Sequence, residues 1–235
     1  MANFAVVIVG AGRSRRFGSG SIKKPFALLN GRAVWLYSAE RFARRADVAQ
    51  TIFVVSPEDR RAVEREYAEE IAQFGVELVD GGAERFLSVE NALRAISTDA
   101  EFVAVHDAAR PCVSEPEIDR VFAEAARSGA AILATKVVGS LKCSNDSDSP
   151  ARVVESVSRE RLWEARTPQV FERELLARAY RERPSDFAPT DDCGLVERLG
   201  VEVSIVEGSN LNLKITTGED LTIAERFMEL VERRN

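Results

Sequence analysis

The 235-residue chain contains a single histidine, His106, and only three cysteines. Neighbouring strand residues point to opposite faces, so His106 is not expected to hydrogen-bond to Asp107, and a serine hydrolase would need a second histidine. We therefore interpret His106 as a structural residue. The cysteines lie far apart and form no CxxC pair, which argues against a disulfide framework and a cysteine zinc site and predicts reduced thiols. They are Cys112, Cys143 and Cys193.

Long apolar runs are also missing from the sequence. No run approaches about 18 residues, and no apolar segment follows a basic start, so the sequence supports neither membrane insertion nor secretion and predicts a cytoplasmic location. The formal net charge is −6 and no basic stripe occurs beyond the first segment, which argues against a nucleic-acid partner. With 45% hydrophobic residues, the chain can bury one substantial core, and we expect one domain over residues 1–235.

Acidic residues are absent from the first 39 positions, which carry six basic side chains. The apolar run 5–9 leads into a glycine-rich, cationic loop that begins Gly10-Ala11-Gly12. Glycine backbone, exposed N–H groups and guanidinium forks together predict a polyphosphate site, although a sharp turn with solvated arginines is the alternative. The loop is not a P-loop, because no Gly-Lys-Ser/Thr follows, and Arg15 stands where the Rossmann fingerprint needs its third glycine. The basic residues are Arg13, Arg15, Arg16, Lys23, Lys24 and Arg32.

The apolar, β-rich runs alternate with helical patterns, which predicts an α/β fold with a mostly parallel sheet and a ligand site at the carboxyl ends of its strands. Capping signals predict helices that begin near residues 57, 115 and 218. A polar, turn-rich stretch over 140–150 predicts a protruding hairpin, either a solvated surface loop or an arm that clasps a second subunit. The predicted strands are 5–9, 51–55, 76–79, 102–106, 130–137 and 201–206.

Three further features carry candidate chemistry. Asp107 directly follows the fourth predicted strand, and at a strand's carboxyl end a carboxylate can meet a phosphate-bound Mg²⁺. Gly81-Gly82 close the third strand, and their main-chain groups could recognise a base edge, although an ordinary turn is equally compatible with these residues. Lys214 stands just before the last predicted helix. Its side chain either belongs to the phosphate-binding site or is an ordinary solvated lysine.

Five strings of the sequence carry a resemblance: Gly10-Ala11-Gly12…Arg16…Lys24, Gly81-Gly82…Arg85…Ser88, His106-Asp107-Ala108-Ala109-Arg110-Pro111, Thr167-Pro168-Gln169 and Asn212-Leu213-Lys214-Ile215-Thr216. Together they resemble the 2-C-methyl-D-erythritol 4-phosphate cytidylyltransferases of the non-mevalonate isoprenoid pathway, from about residue 5 to about residue 230. The resemblance implies a single Rossmann-like domain of the GT-A nucleotidyltransferase type, with helices on both faces of the sheet. It also implies CTP as co-substrate, Mg²⁺ as cofactor, and a homodimer whose arms, at about 138–158, reach into each other's active sites.

The resemblance also implies roles for individual residues. Arg16 and Lys24 would hold the CTP phosphates, Lys214 would bridge the reacting phosphates, and Asp107 would bind Mg²⁺. The nucleotide would further contact Gly10, Ala11, Gly12, Gly82, Ser88 and Ala108, with Gly82 and Ser88 facing cytosine. The sugar phosphate would be held by Arg110, Thr167 and Thr190, together with Ser140 and Arg159 from the partner's arm.

The sequence departs from the family pattern at four places. The usual Pro-Lys-Gln is here Lys23-Lys24-Pro25, so Lys23 is an alternative to Lys24 as the working lysine. Ala83, Gly139 and Ser158 replace acidic residues near the base and the acceptor. These changes leave two alternatives open: a cytidylyltransferase for another polyol phosphate such as ribitol 5-phosphate, and a catalytically silent CTP-binding regulatory protein.

Overall fold

The structure is a computed structural model, which describes residues 2–12, 23–145 and 151–232. Its strands are β1 (Phe4–Val9), β2 (Leu28–Leu29), β3 (Arg32–Ala33), β4 (Val48–Val55), β5 (Val76–Asp80), β6 (Phe102–Asp107), β7 (Ala130–Lys136), β8 (Leu141–Ser144), β9 (Val153–Val157), β10 (Trp163–Glu172) and β11 (Ser204–Glu207). Its α-helices are α1 (Val34–Ala43), α2 (Pro57–Glu66), α3 (Ala68–Phe74), α4 (Arg85–Ala95), α5 (Glu115–Ser128), α6 (Arg173–Arg181), α7 (Cys193–Glu197) and α8 (Gly218–Glu232). A short 3-10 helix covers Lys24–Phe26.

Seven of the described strands form one sheet in the order β11-β7-β10-β6-β1-β4-β5. Every neighbouring pair except the two that involve β10 is parallel. This confirms the α/β class and the mostly parallel sheet. The predicted helix starts are also confirmed, at Pro57, Glu115 and Gly218. At the second of these, Ser114 and Glu117 form a complete capping box.

Strand β10 is absent from the prediction and lies in the middle of the sheet, antiparallel to β6 and β7. Pro168 stands inside it, and a proline within a run argues against a central strand because it cannot donate a ladder hydrogen bond. The pairing with β7 is irregular between Ala165 and Gln169, which accommodates the proline, and the Thr167-Pro168 peptide bond is cis. The predicted run 201–206 is a shorter strand, Ser204–Glu207.

Helices cover both faces of the sheet because the central strands are apolar on both faces. Along β1, Val6 packs with α1 and α5 in one buried cluster, and Val7 packs with α4 and α6 in the other. This alternation is the period of two that a strand requires. The rings of Trp35 and Phe53 stack with centroids 4.4 Å apart in the first cluster.

A hairpin leaves the sheet between β7 and β10. Its strands β8 and β9 pair antiparallel with each other, and all nine of their residues are exposed. The hydrogen bond from Val137 N to Leu162 O, 3.1 Å long, joins the two ends of the hairpin where they meet the sheet. Because β10 is antiparallel, its first residues lie at the carboxyl ends of β6 and β7. The hairpin therefore projects from the end of the sheet that is formed by the carboxyl ends of the parallel strands, where a ligand site is expected. Its tip, residues 146–150, lies outside the described part of the chain.

No helix within the described ranges combines the length and apolar character needed to cross a bilayer.

Candidate active site

A cavity of about 580 Å³ opens at the carboxyl ends of β1, β4, β5 and β6. Eight of the predicted site residues line it, from five separate stretches of sequence. They are Gly10, Ala11, Gly12, Lys24, Gly82, Ser88, Asp107 and Lys214. Arg16, together with Arg13 and Arg15, lies outside the described residues.

Asp107 is the electrostatic centre of this cavity. Its carboxylate is 2.6 Å from Lys214 Nζ and 3.3 Å from Arg85 Nε, and Arg110 Nε is 3.7 Å away. Burial raises the pKa of Asp107, but the charges of Arg85, Lys214 and Arg110 outweigh burial and hold that pKa well below its usual value. Asp107 is therefore an ionised carboxylate in a cationic setting.

The main chain of Asp107 is fixed by its neighbours on β6 and β10. Its N–H donates to Thr167 Oγ1 over 3.0 Å, and the same hydroxyl lies 3.1 Å from His106 Nδ1. His106 Nε2 lies 3.1 Å from the carbonyl of Arg110, which can only accept, so Nε2 carries the proton and the Thr167 hydroxyl donates to Nδ1. Burial lowers the pKa of His106 to about 3. The histidine is neutral and structural, as the sequence predicts.

The turn after β5 needs glycine for packing. A β-carbon on Gly82 would lie 2.4 Å from Leu87 Cβ, a contact that side chains do not make. The Ser88 hydroxyl accepts from Gly82 N over 3.1 Å and donates to Glu84 O over 3.2 Å. Ser88 thus stabilises the turn through hydrogen bonds to its main chain. Main-chain groups of residues 81–84 remain at the cavity surface.

The glycine-rich loop after β1 starts under a similar constraint. Gly10 N donates to Val54 O over 2.8 Å, and a β-carbon on Gly10 would lie 2.3 Å from the ring of Phe53. Glycine therefore lets β1 pass close to β4 where the loop leaves the sheet.

The two adjacent lysines have different surroundings, although both line the cavity. Lys23 Nζ is 2.5 Å from Asp59 Oδ2 and 3.0 Å from Ser56 Oγ, so it is bound to the start of α2. Lys24 begins the 3-10 helix, directly before Pro25. Lys23 thereby ties the end of the glycine-rich loop to α2.

The residues predicted to hold the acceptor are not gathered in this cavity. Arg110 is buried and donates through Nη1 to Asn212 O over 2.9 Å. The hydroxyl proton of Thr167 is used within the protein, on His106. Ser140, Arg159 and Thr190 are exposed, and the Arg159 guanidinium donates to Val138 O at the base of the hairpin. Ala108, predicted to contact the nucleotide, is fully buried. The roles of all these residues remain predictions.

One part of the site has no counterpart in the predicted site residues. Arg85 lines the cavity and reaches from Asp107 to Asp192, whose Oδ2 is 2.8 Å from Arg85 Nη1. Tyr180 donates to the other oxygen of Asp192 over 2.6 Å, and Gln169 Oε1 accepts from Asp192 N over 3.1 Å. Arg85 belongs to one of the five strings, but nothing in the sequence pairs it with Asp192.

Solved structures share this fold. A crystal structure of 2-C-methyl-D-erythritol 4-phosphate cytidylyltransferase from Thermus thermophilus aligns with a TM-score of 0.77 and 31% identity, covering 97% of this chain and all of that one. A crystal structure of 4-diphosphocytidyl-2C-methyl-D-erythritol synthase aligns with a TM-score of 0.79 and 27% identity, over 97% of this chain and 99% of that one. The fold and the site therefore define a Rossmann-like nucleotidyltransferase.

Sequence comparison identifies the family. The family model described as IspD, 2-C-methyl-D-erythritol 4-phosphate cytidylyltransferase, matches residues 4–230. The protein of that name from Rhodopirellula baltica is 41% identical, with 97% of this chain and 95% of that protein covered. The chain belongs to the 2-C-methyl-D-erythritol 4-phosphate cytidylyltransferase family.

Proposed function

We propose that this chain transfers CMP from CTP to 2-C-methyl-D-erythritol 4-phosphate, releasing pyrophosphate and forming 4-diphosphocytidyl-2-C-methyl-D-erythritol. The observation that carries the proposal is the cluster of Asp107, Lys214 and Arg85 at the end of β6, in a cavity bordered by two glycine turns. Family membership supports the choice of both substrates.

The reaction is a phosphoryl substitution. A phosphate oxygen of the acceptor forms a bond to the α-phosphorus of CTP, and the bond from that phosphorus to the bridging oxygen breaks, so the electron pair leaves with pyrophosphate. The attacking phosphate is already ionised at neutral pH, so no general base is required. A buried, neutral His106 is consistent with this chemistry, which depends on positioning and on neutralising charge.

The residues present fit a magnesium ion. Mg²⁺ is usually held by one or two carboxylates, with substrate phosphates and waters as its remaining ligands. Asp107 supplies one ionised carboxylate at the cavity wall, and no group of three or more metal-ligating side chains occurs in the part of the chain that is described. Asp107 would therefore hold an ion that takes most of its ligands from CTP and water. When bound, Mg²⁺ supplies positive charge to the phosphate oxygens.

The chain's own cations do the remaining work. Lys214 Nζ touches Asp107, yet its side chain is 42% exposed, so the ammonium group can also meet phosphate oxygens in the cavity. Lys24 borders the same cavity from the glycine-rich loop. We assign both to the triphosphate, with Arg16 as a third, and the main-chain groups around Gly82 to the cytosine.

The exposed hairpin is the basis for a homodimer. Val153 and Val154 are 66% and 68% exposed, and exposed apolar side chains grouped on one element mark an interaction surface. We propose that the hairpin of each subunit brings Ser140 and Arg159 to the acceptor phosphate in the partner's cavity. A cytoplasmic location and a single domain complete the proposal.

The test measures pyrophosphate release with CTP, Mg²⁺ and each of two acceptors, 2-C-methyl-D-erythritol 4-phosphate and ribitol 5-phosphate. We expect release with the first acceptor and background release without any acceptor. Lys214→Ala should abolish most of it. Lys136→Ala, which removes an exposed lysine outside the cavity lining that contacts Glu207 and the Trp163 ring, should not. Release with ribitol 5-phosphate alone, or CTP binding without release from either acceptor, would contradict the proposal.

A further inference from the structure

Both oxygens of the Asp107 carboxylate are engaged by cationic side chains. Lys214 Nζ contacts Oδ2 over 2.6 Å, Arg85 Nε donates to Oδ1 over 3.3 Å, and Arg110 Nε lies 3.7 Å from Oδ2. The Asp107 side chain is only 10% exposed. Each oxygen has a second lone pair, but a divalent cation placed there would lie close to these positive charges. A metal ion therefore binds Asp107 well only after one of the three cations has left.

The three cations differ in what else holds them. Arg85 Nη1 donates to the buried Asp192 over 2.8 Å, and Arg110 Nη1 donates to a main-chain carbonyl over 2.9 Å. The ammonium group of Lys214 has Asp107 as its one partner among the residues that the structure describes. The Lys214 side chain is also the most exposed of the three, at 42%. Lys214 is therefore the cation that can leave Asp107 while the others stay in place.

The charge around Asp107 favours an anionic ligand over a bare metal ion. Lys214, Arg85 and Arg110 surround two carboxylates, those of Asp107 and Asp192, so this group of side chains carries a net positive charge. That excess repels a bare divalent cation and attracts a triphosphate. A triphosphate also offers oxygen atoms to an ammonium group that leaves its carboxylate, so the charge does not lose its partner.

We propose that Lys214 closes Asp107 to bare divalent cations and opens it when a triphosphate draws the ammonium group away, so that the site takes a metal–nucleotide complex but not the metal alone. The inference rests on the proposed function, because it requires the cavity to bind CTP with Asp107 as a metal ligand. It gives Lys214 a second role beside its contact with the phosphates. Removal of the Lys214 charge should therefore change two affinities in opposite directions.

The first measurement is the affinity for Mn²⁺ alone, read from the electron paramagnetic resonance signal of unbound Mn²⁺, an ion that accepts the same oxygen ligands as Mg²⁺. Groups in contact with a metal ligand typically change metal affinity by about 10- to 100-fold. We therefore expect Lys214→Gln to tighten Mn²⁺ binding by about tenfold or more. Asp107→Asn in the Lys214→Gln background should abolish the gain. Lys214→Arg, which keeps a cation at this position, should show no gain.

The matched control is Lys136→Gln. It also removes an exposed lysine from a carboxylate, that of Glu207 at 3.2 Å, but this pair lies outside the cavity lining. We expect its Mn²⁺ affinity to equal that of the wild type.

The second measurement is the affinity for CTP at saturating Mn²⁺, by calorimetry and with no acceptor present. Lys214→Gln should weaken CTP binding by about tenfold or more, because a hydrogen bond to a charged group is lost. A purely structural role for Lys214 would weaken both affinities. The opposite signs of the two changes thus distinguish the proposed role from damage to the fold.

Unchanged or weaker Mn²⁺ binding in Lys214→Gln would overturn the inference, and so would a gain that survives Asp107→Asn. Where Asp107→Asn fails to fold, equal gains in Lys214→Gln and Lys214→Arg would overturn it. Tighter CTP binding in Lys214→Gln would do the same. A wild type that binds CTP with Mn²⁺ but releases pyrophosphate with neither acceptor refutes the proposed reaction and leaves both affinity measurements intact.

Discussion

His106 should remain a neutral imidazole well into acid. It has no exposed surface, its Nε2 donates to Arg110 O, and its Nδ1 accepts from the Thr167 hydroxyl. A second proton on Nδ1 would remove that acceptor and place a charge where the solvent does not reach. Burial therefore lowers the pKa of His106 from 6.5 to about 3, and the nearby charge of Asp107 offsets only part of this effect.

The consequence for stability follows from proton linkage at His106. Between the two pKa values, about 3 in the folded chain and 6.5 in the unfolded chain, the unfolded state binds more protons. The free energy of unfolding therefore rises with pH in this window. The stability that the neutral His106 contributes is lost as the pH falls from 6.5 towards 3. At 1.36 kcal/mol for each unit, the loss between pH 7 and pH 5 is about 2 kcal/mol.

Urea unfolding at pH 7 and pH 5 measures this loss, with His106→Gln as the comparison. The carboxylates titrate in both proteins, so the difference between their pH dependences isolates the imidazole. We expect the free energy of unfolding of the variant to fall by about 2 kcal/mol less than that of the wild type. The chain has one histidine, so its ring carbon–proton signal in an NMR spectrum needs no assignment. A signal that titrates near pH 6.5 in the folded protein, or equal pH dependences, would refute the reasoning.

Three further predictions concern the cavity and the hairpin. Lys24→Ala should lower pyrophosphate release by about 100-fold, because loss of one preorganised charge has an effect of this size. Lys23→Ala should keep most of the activity. A larger loss of activity in Lys23→Ala than in Lys24→Ala would identify Lys23 as the working lysine. Gly82→Ala should weaken CTP binding in calorimetry, because its β-carbon has no room, whereas Gly218→Ala, which meets nothing within 4 Å, should leave binding unchanged. Deletion of residues 139–158 should convert a dimer to a monomer in light scattering and abolish acceptor use while CTP still binds; a deletion variant that stays dimeric would exclude the hairpin as the interface.

The parallel strands could be predicted because each is a short apolar run that ends at a turn signal. Strand β10 could not, because its middle, Arg166 to Gln169, is polar and contains a proline. Those polar side chains are buried only because distant groups satisfy them, as when Arg166 Nη1 donates to Asn212 O over 2.8 Å. A local pattern does not contain such partners.

The same limit applies to the site. Asp107, Lys214 and the glycine turns lie at strand ends or next to helices, where the order of elements alone brings them together. Arg85 and Asp192 are 107 positions apart, and their pairing depends on how α4 and the segment before α7 pack, which no spacing rule describes.

The antiparallel course of β10 has a consequence for how the hairpin can be exchanged between relatives. Residues 137–162 leave the sheet and re-enter it at the same edge, and Val137 N and Leu162 O close the gap between the two ends. These residues form one contiguous stretch whose two ends are hydrogen-bonded to each other. We therefore expect that replacing the stretch with that of a relative leaves every strand of the seven-stranded sheet in register. With the hairpin holding the acceptor, as proposed above, exchange of these residues should change the choice of second substrate and leave the nucleotide site in place.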